Sequence, residues 1–128
     1  MRCLDSSFVV DLLAGLPAAI RKASELQQSG ERLSITAPAM AEVLMGAHYR
    51  GGPYLRKALE LVAGLDILAA DGAVASQAGE LGAELMRRGI RPSAADLLIA
   101  ASVRVHRKVL LTRDRGFAAI PGLAVETY

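Results

Sequence analysis

Cysteine occurs once in this sequence, at Cys3, so no intrachain disulfide can form and a disulfide-stapled scaffold is excluded. Cys3 lies in an apolar run with no histidine nearby, which reads as a small buried side chain rather than a reactive thiol. Tryptophan is absent and aromatics make up only 4% of the chain, so there is no platform on which nucleic-acid bases would stack. The two histidines, His48 and His106, stand far apart without ligand spacing, and neither a zinc finger nor a histidine-based zinc site can be built from them. No stretch approaches the roughly 20 apolar residues of a membrane-spanning helix. The opening MRCLDSSFVVDLLAG places Asp5 and Asp11 inside its first apolar run, unlike a secretion signal. The expectation is a cytoplasmic protein with no membrane partner. Neither a Walker A loop nor GxGxxG is present, and the glycine-rich GAHYRGG at 46–52 fits neither pattern.

What is present is 128 residues, 52% hydrophobic and weighted to Leu, Val, Ile and Ala. That is enough for one hydrophobic core and one domain, residues 1–128. The formal net charge of +2 says little by itself, but its distribution is uneven. From Arg87 to Arg115 there are eight basic residues (Arg87, Arg88, Arg91, Arg104, Arg107, Lys108, Arg113, Arg115) against two acids, Asp96 and Asp114. Isolated carboxylates in a basic field point toward a phosphate-bearing partner.

Strand and helix patterns alternate along the chain. Short apolar runs at 2–4, 32–36, 66–69, 109–112 and 123–126 predict strands, brief and apolar as in a parallel sheet covered on both faces. Helices are predicted from Ser6 or Ser7 to Leu13, over 18–28, from Pro38 to about Arg50, over 54–64, over 72–87 and over 94–105. Gly79 and Gly82 interrupt the fifth of these and suggest close packing. Ser93 is placed to cap the sixth, with Asp96 three residues on as a variant capping box. The expected fold is α/β: a three-layer α/β/α domain around a short, mostly parallel sheet.

In such a sheet, ligands bind beyond the carboxyl ends of the strands. Asp5 follows the first strand and Asp114 the fourth, while Glu42 lies one turn into the helix after the second strand and Asp96 in the first turn of its helix. Each has an ordinary alternative: Asp5 as a helix cap, Asp96 as a dipole complement, Glu42 as a solvated side chain, Asp114 as a turn residue. Four acids predicted to converge on one edge are better explained by a hard divalent cation, which offsets their repulsion and can polarise a phosphate oxygen.

These segments resemble the PIN-domain proteins, specifically VapC-type toxins of toxin–antitoxin pairs. The matching stretches are LDSSFVVDLLAG at 4–15, SITAPAMAEVLMGA at 34–47, SAADLLIAASVRVHRKVLLTRDRGF at 93–117 and IPGLAVETY at 120–128. The resemblance spans essentially the whole chain. It carries the family's four acids onto Asp5, Glu42, Asp96 and Asp114, with Ser6 and Thr112 at supporting polar positions. It implies a Mg²⁺- or Mn²⁺-dependent endoribonuclease that hydrolyses RNA phosphodiesters, a cognate VapB-type antitoxin over the active-site groove, and a homodimer. Many relatives carry a further acid where this chain has Gly116, which bears on a second metal site. Arg104, Arg107, Lys108, Arg113 and Arg115 are the candidates for contacts to the RNA backbone. The apolar faces of the helices at 38–50 and 54–64 are candidates for pairing two copies. Alternative readings are a structure-specific DNA nuclease, a non-catalytic nucleic-acid or protein binding module on the same fold, and a phospho-receiver-like switch. The last expects a lysine at the end of a late strand, whereas Lys108 precedes the fourth.

Overall fold

The structure, a computed structural model covering residues 1–128, is built on five strands: β1 (Arg2–Leu4), β2 (Ser34–Thr36), β3 (Asp66–Leu68), β4 (Val109–Leu111) and β5 (Val125–Glu126). Their order is β3-β2-β1-β4-β5 and every pairing is parallel. β1 is central, with Leu4 opposite Ile35 on one side and Leu111 on the other. β1, β2 and β4 are buried on both faces of the sheet, so a period-two alternation is absent from them, whereas Asp66 and Ile67 of the edge strand β3 are exposed. The chain leaves β1 toward β2 and β3, then returns to β4 on the other side. The order therefore reverses between β1 and β4, and an open α/β sheet has its ligand crevice at that place.

Six helices enclose the sheet in three layers: α1 (Ser6–Leu13), α2 (Pro17–Ser29), α3 (Ala37–Arg50), α4 (Gly52–Ala63), α5 (Gly72–Arg87) and α6 (Ala94–Val105). Their starts follow local chemistry. Thr36 accepts from the Ala39 N–H at 3.2 Å, Asp71 from Val74 at 3.1 Å and Ser93 from Asp96 at 3.1 Å, each cap contributing about 1 kcal/mol. The side chains of Phe8, Val43, Leu85 and Ile99 join the strand residues in one continuous buried core. No helix is long and apolar enough to cross a membrane.

Of the two glycines expected to permit close packing, only Gly82 does so. A Cβ there would lie 3.0 Å from Leu97 Cδ1, whereas at Gly79 it would meet nothing within 4 Å. β2 and β5 are shorter than expected. Arg32 stays outside the strand and pairs with Asp66 at 2.6 Å on the surface. The apolar pattern did not reveal a 3₁₀ turn at Arg115–Ala119, whose Phe117 is buried and which leads to buried Ile120. Cys3 is fully buried, as expected, and burial pushes its thiol up to about 11.

Candidate active site

Because β1 and β4 are parallel neighbours, their carboxyl ends emerge side by side at the reversal of strand order. Asp5 leaves β1 there and Thr112 leaves β4. Asp5 occupies the N-cap position of α1 but makes no side-chain capping bond. The residue is buried, and its carboxylate accepts from the Thr112 hydroxyl at 2.6 Å and the Ser7 hydroxyl at 3.0 Å. Both converge on Oδ2, which leaves Oδ1 without a protein donor. Thr112 Oγ1 also accepts from the Asp114 N–H at 2.9 Å, so a single buried hydroxyl ties the two aspartates together.

Asp114 caps the 3₁₀ turn, its Oδ1 accepting from the Gly116 N–H at 2.9 Å. The turn-residue alternative and the site role thus coincide in one side chain. A Cβ on Gly116 would lie 3.1 Å from that same oxygen, so a side chain there would crowd the Asp114 carboxylate. Glu42 is more exposed than its apolar sequence neighbours suggested, and receives only a long 3.5 Å contact from Ser6 Oγ. Ser6 therefore serves Glu42. Ser7, which the sequence did not single out, supports Asp5, since the first turn of α1 swings it toward Thr112.

The electrostatics link all four acids. Glu42 is held above the usual carboxylate range by desolvation, then by the charges of Asp5 and Asp96. Asp96 is raised by desolvation and by Asp114 and Asp5, with a hydrogen bond to Ser93 pulling the other way. None of the four acids forms an ion pair with a basic side chain. Arg113, one of the two basic residues adjoining Asp114, is turned to Asp11 at 2.8 Å, and Asp11 also accepts from the Tyr128 hydroxyl at 2.6 Å. As the side chains stand, no three carboxylates, imidazoles or thiolates converge closely enough to hold one metal ion. The donor set is nonetheless all oxygen, and its surplus negative charge suits a hard divalent cation. A cleft of about 170 Å³ opens beside Asp96 and Asp114, lined also by Ile90, Arg91, Pro92 and Phe117.

The basic candidates divide. Arg113 and Arg115 flank Asp114 at the acidic edge. Arg104, Arg107 and Lys108 lie at the far end of α6 and before β4, at the amino ends of the strands. Along the helix axis Arg104 is roughly 12 Å from Asp96 at the usual rise per residue. These three candidates for RNA-backbone contact therefore stand at the opposite edge from the acids. Arg107 there has φ 53°, closing α6 in a left-handed turn more usual for glycine.

Comparisons with known proteins place this geometry. A protein named tRNA(fMet)-specific endonuclease VapC, from Shigella flexneri, is 27% identical over 98% of this chain and 96% of its own length. A structure of DNA-bound VapBC from Salmonella typhimurium matches with a TM-score of 0.80 at 26% identity, covering 98% of this chain and 96% of that one. The fold also matches VapBC2 from Rickettsia felis, solved with a promoter DNA fragment, at a TM-score of 0.84 and 23% identity, covering 99% and 98%. Residues 2–123 match the model of the PIN domain. With the match spanning nearly its whole length, this chain belongs to the PIN-domain family.

Proposed function

We propose that this protein is a metal-dependent endoribonuclease, the toxin of a type II toxin–antitoxin pair, with residues 1–128 acting as one nuclease domain. The observation that carries the reading is the electrostatic coupling of Asp5, Glu42, Asp96 and Asp114 at the strand-order reversal, with no ion pair to any of the four. Asp5, Asp96 and Asp114 would hold Mg²⁺ or Mn²⁺, which fits oxygen donors better than zinc. When bound, the cation supplies charge to a non-bridging phosphate oxygen and the leaving oxygen.

The remaining work falls to the chain. Thr112 and Ser7 fix the orientation of Asp5, and Thr112 sets its spacing from Asp114. Glu42, exposed and raised in pKa, orients the attacking water and accepts its proton. In-line attack by water leaves a 5′-phosphate. The chain has no catalytic histidine pair to recruit the 2′-hydroxyl instead.

The naming of the Shigella relative supports structured RNA as the substrate class to test first. The VapBC complexes support an antitoxin partner. The antitoxin would lie over the groove that holds the four acids. Met45 and Tyr49 on α3 and Leu59 on α4 are exposed apolar side chains suited to pairing two copies. The test is cleavage of a panel of structured RNAs and sequence-matched DNAs, with end analysis of the products. RNA fragments bearing 5′-phosphates support the reading. Preferential cleavage of DNA replaces it with the DNA-nuclease reading, and 2′,3′-cyclic ends refute the proposed attack by water.

A further inference from the structure

Six residues, Arg88 to Ser93, connect α5 to α6, and Ile90, Arg91 and Pro92 among them form one wall of the cleft beside Asp96 and Asp114. This strap is pinned at both ends. Gly89, at φ 78°, closes α5 with paired backbone bonds, Gly89 N–H to Met86 and Ile90 N–H to Leu85. At the other end Ser93 caps α6. Between them Pro92 restricts the backbone of Arg91 to extended conformations. Arg91 is thus presented from a fixed backbone at the cleft, and its side chain is exposed.

Of the neighbouring arginines, Arg88 pairs with Glu84 at 2.9 Å and Arg113 with Asp11 at 2.8 Å, while Arg87 and Arg115 are not among the residues lining the cleft. Arg91 lines the same cleft as two carboxylates yet forms no ion pair with either, so its planar fork of N–H donors is free. Ile90, Pro92 and Phe117 give the cleft apolar walls beside that cation. A nucleotide has both features, an anionic phosphate and a largely apolar sugar–base face.

We propose that Arg91 is a positioning residue that grips a backbone phosphate next to the scissile one, with the adjoining nucleotide seated in the cleft against Ile90 and Pro92. This rests on the ribonuclease reading above. Arg91 anchors the strand and leaves the reacting phosphate to the carboxylate cluster.

The test uses the full chain and a fluorescein-labelled single-stranded RNA oligonucleotide. Binding is measured by anisotropy in EDTA across a salt series, and cleavage is measured with Mg²⁺. One phosphate contact accounts for about 0.7 of the slope of log affinity against log salt for single strands. Arg91→Gln is expected to lower the slope by about that amount, weaken binding roughly tenfold and raise KM with kcat unchanged. Arg91→Lys is expected to keep the slope. A folded Arg91→Gln protein with wild-type slope and KM overturns the inference while leaving the nuclease reading intact. A loss confined to kcat overturns it too, because Arg91 then acts on the reacting phosphate. If folded wild-type protein neither binds nor cuts RNA, both readings fall together.

Discussion

Thr112→Val removes a single hydroxyl from a fully buried position and nearly preserves shape, so its consequence follows from the hydrogen bonds alone. The lost group donates to the shielded Asp5 carboxylate at 2.6 Å and accepts from the Asp114 N–H at 2.9 Å. A hydrogen bond to a charged group contributes about 1.5–3 kcal/mol, and stranding the Asp114 donor adds part of its desolvation cost. The expected loss is about 3 kcal/mol, which for a domain of this size lowers Tm by roughly 10 °C. Thr112→Ser keeps the hydroxyl and loses only a methyl, so it should recover most of that stability. Urea unfolding in EDTA measures both variants without any contribution from bound metal. An Asp5→Asn background provides the cycle: the valine substitution should cost at least 1 kcal/mol less there. If Thr112→Val and Thr112→Ser unfold within about 0.5 kcal/mol of each other, the hydroxyl does not organise the cluster and the reasoning fails.

The paired glycines of α5 make a sharper test of packing. Gly79→Ala, facing open space, should stabilise by up to about 1 kcal/mol, whereas Gly82→Ala, pressed on Leu97, should be less favourable than that by about 1–2 kcal/mol in the same denaturation assay. The Tyr128 phenol is pushed up to about 12 by desolvation and by its bond to Asp11. Its contribution is therefore complete below the unfolded value near 10 and lost as pH rises from there through about 12. Alkaline unfolding curves of Tyr128→Phe should lack that part of the slope. Glu42 and Asp96 are likewise raised, so their ionisation at neutral pH disfavours the fold and protonation below the ordinary carboxylate range relieves it. Asp96→Asn should melt above wild type at pH 7 and level with it near pH 3, and a Tm for the variant below wild type at pH 7 in EDTA would contradict the cluster.

The sheet and its helices were readable because their signals are local. Apolar runs such as Val109–Leu111, caps such as Ser93 and stops such as Gly30 lie within a few residues of what they control. The positions of Asp5 and Asp114 followed from parallel topology, since they need only the ends of two adjacent strands, whereas Glu42 and Asp96 are carried by α3 and α6. Ser7 was not readable, because its partner Thr112 is 105 residues away and only the turn of α1 brings them together. The basic residues that lie near the acids in sequence divide in space. Arg104, Arg107 and Lys108 sit close in sequence to the acids, but twelve residues of α6 place them at the other edge of the sheet. Arg91 gives no sequence signal apart from its charge. Its relation to the cleft depends on how the strap is pinned, which a charge count does not contain.

Cleavage of structured RNA by wild type and Asp96→Asn, with Mg²⁺ and with EDTA, puts the carboxylate cluster to direct trial. Thermal melting confirms that the variant is folded. Metal-dependent cleavage by wild type that is abolished in folded Asp96→Asn is the result expected of a nuclease built on Asp5, Glu42, Asp96 and Asp114. Cleavage that persists in EDTA, or that survives Asp96→Asn at the wild-type rate, would contradict it.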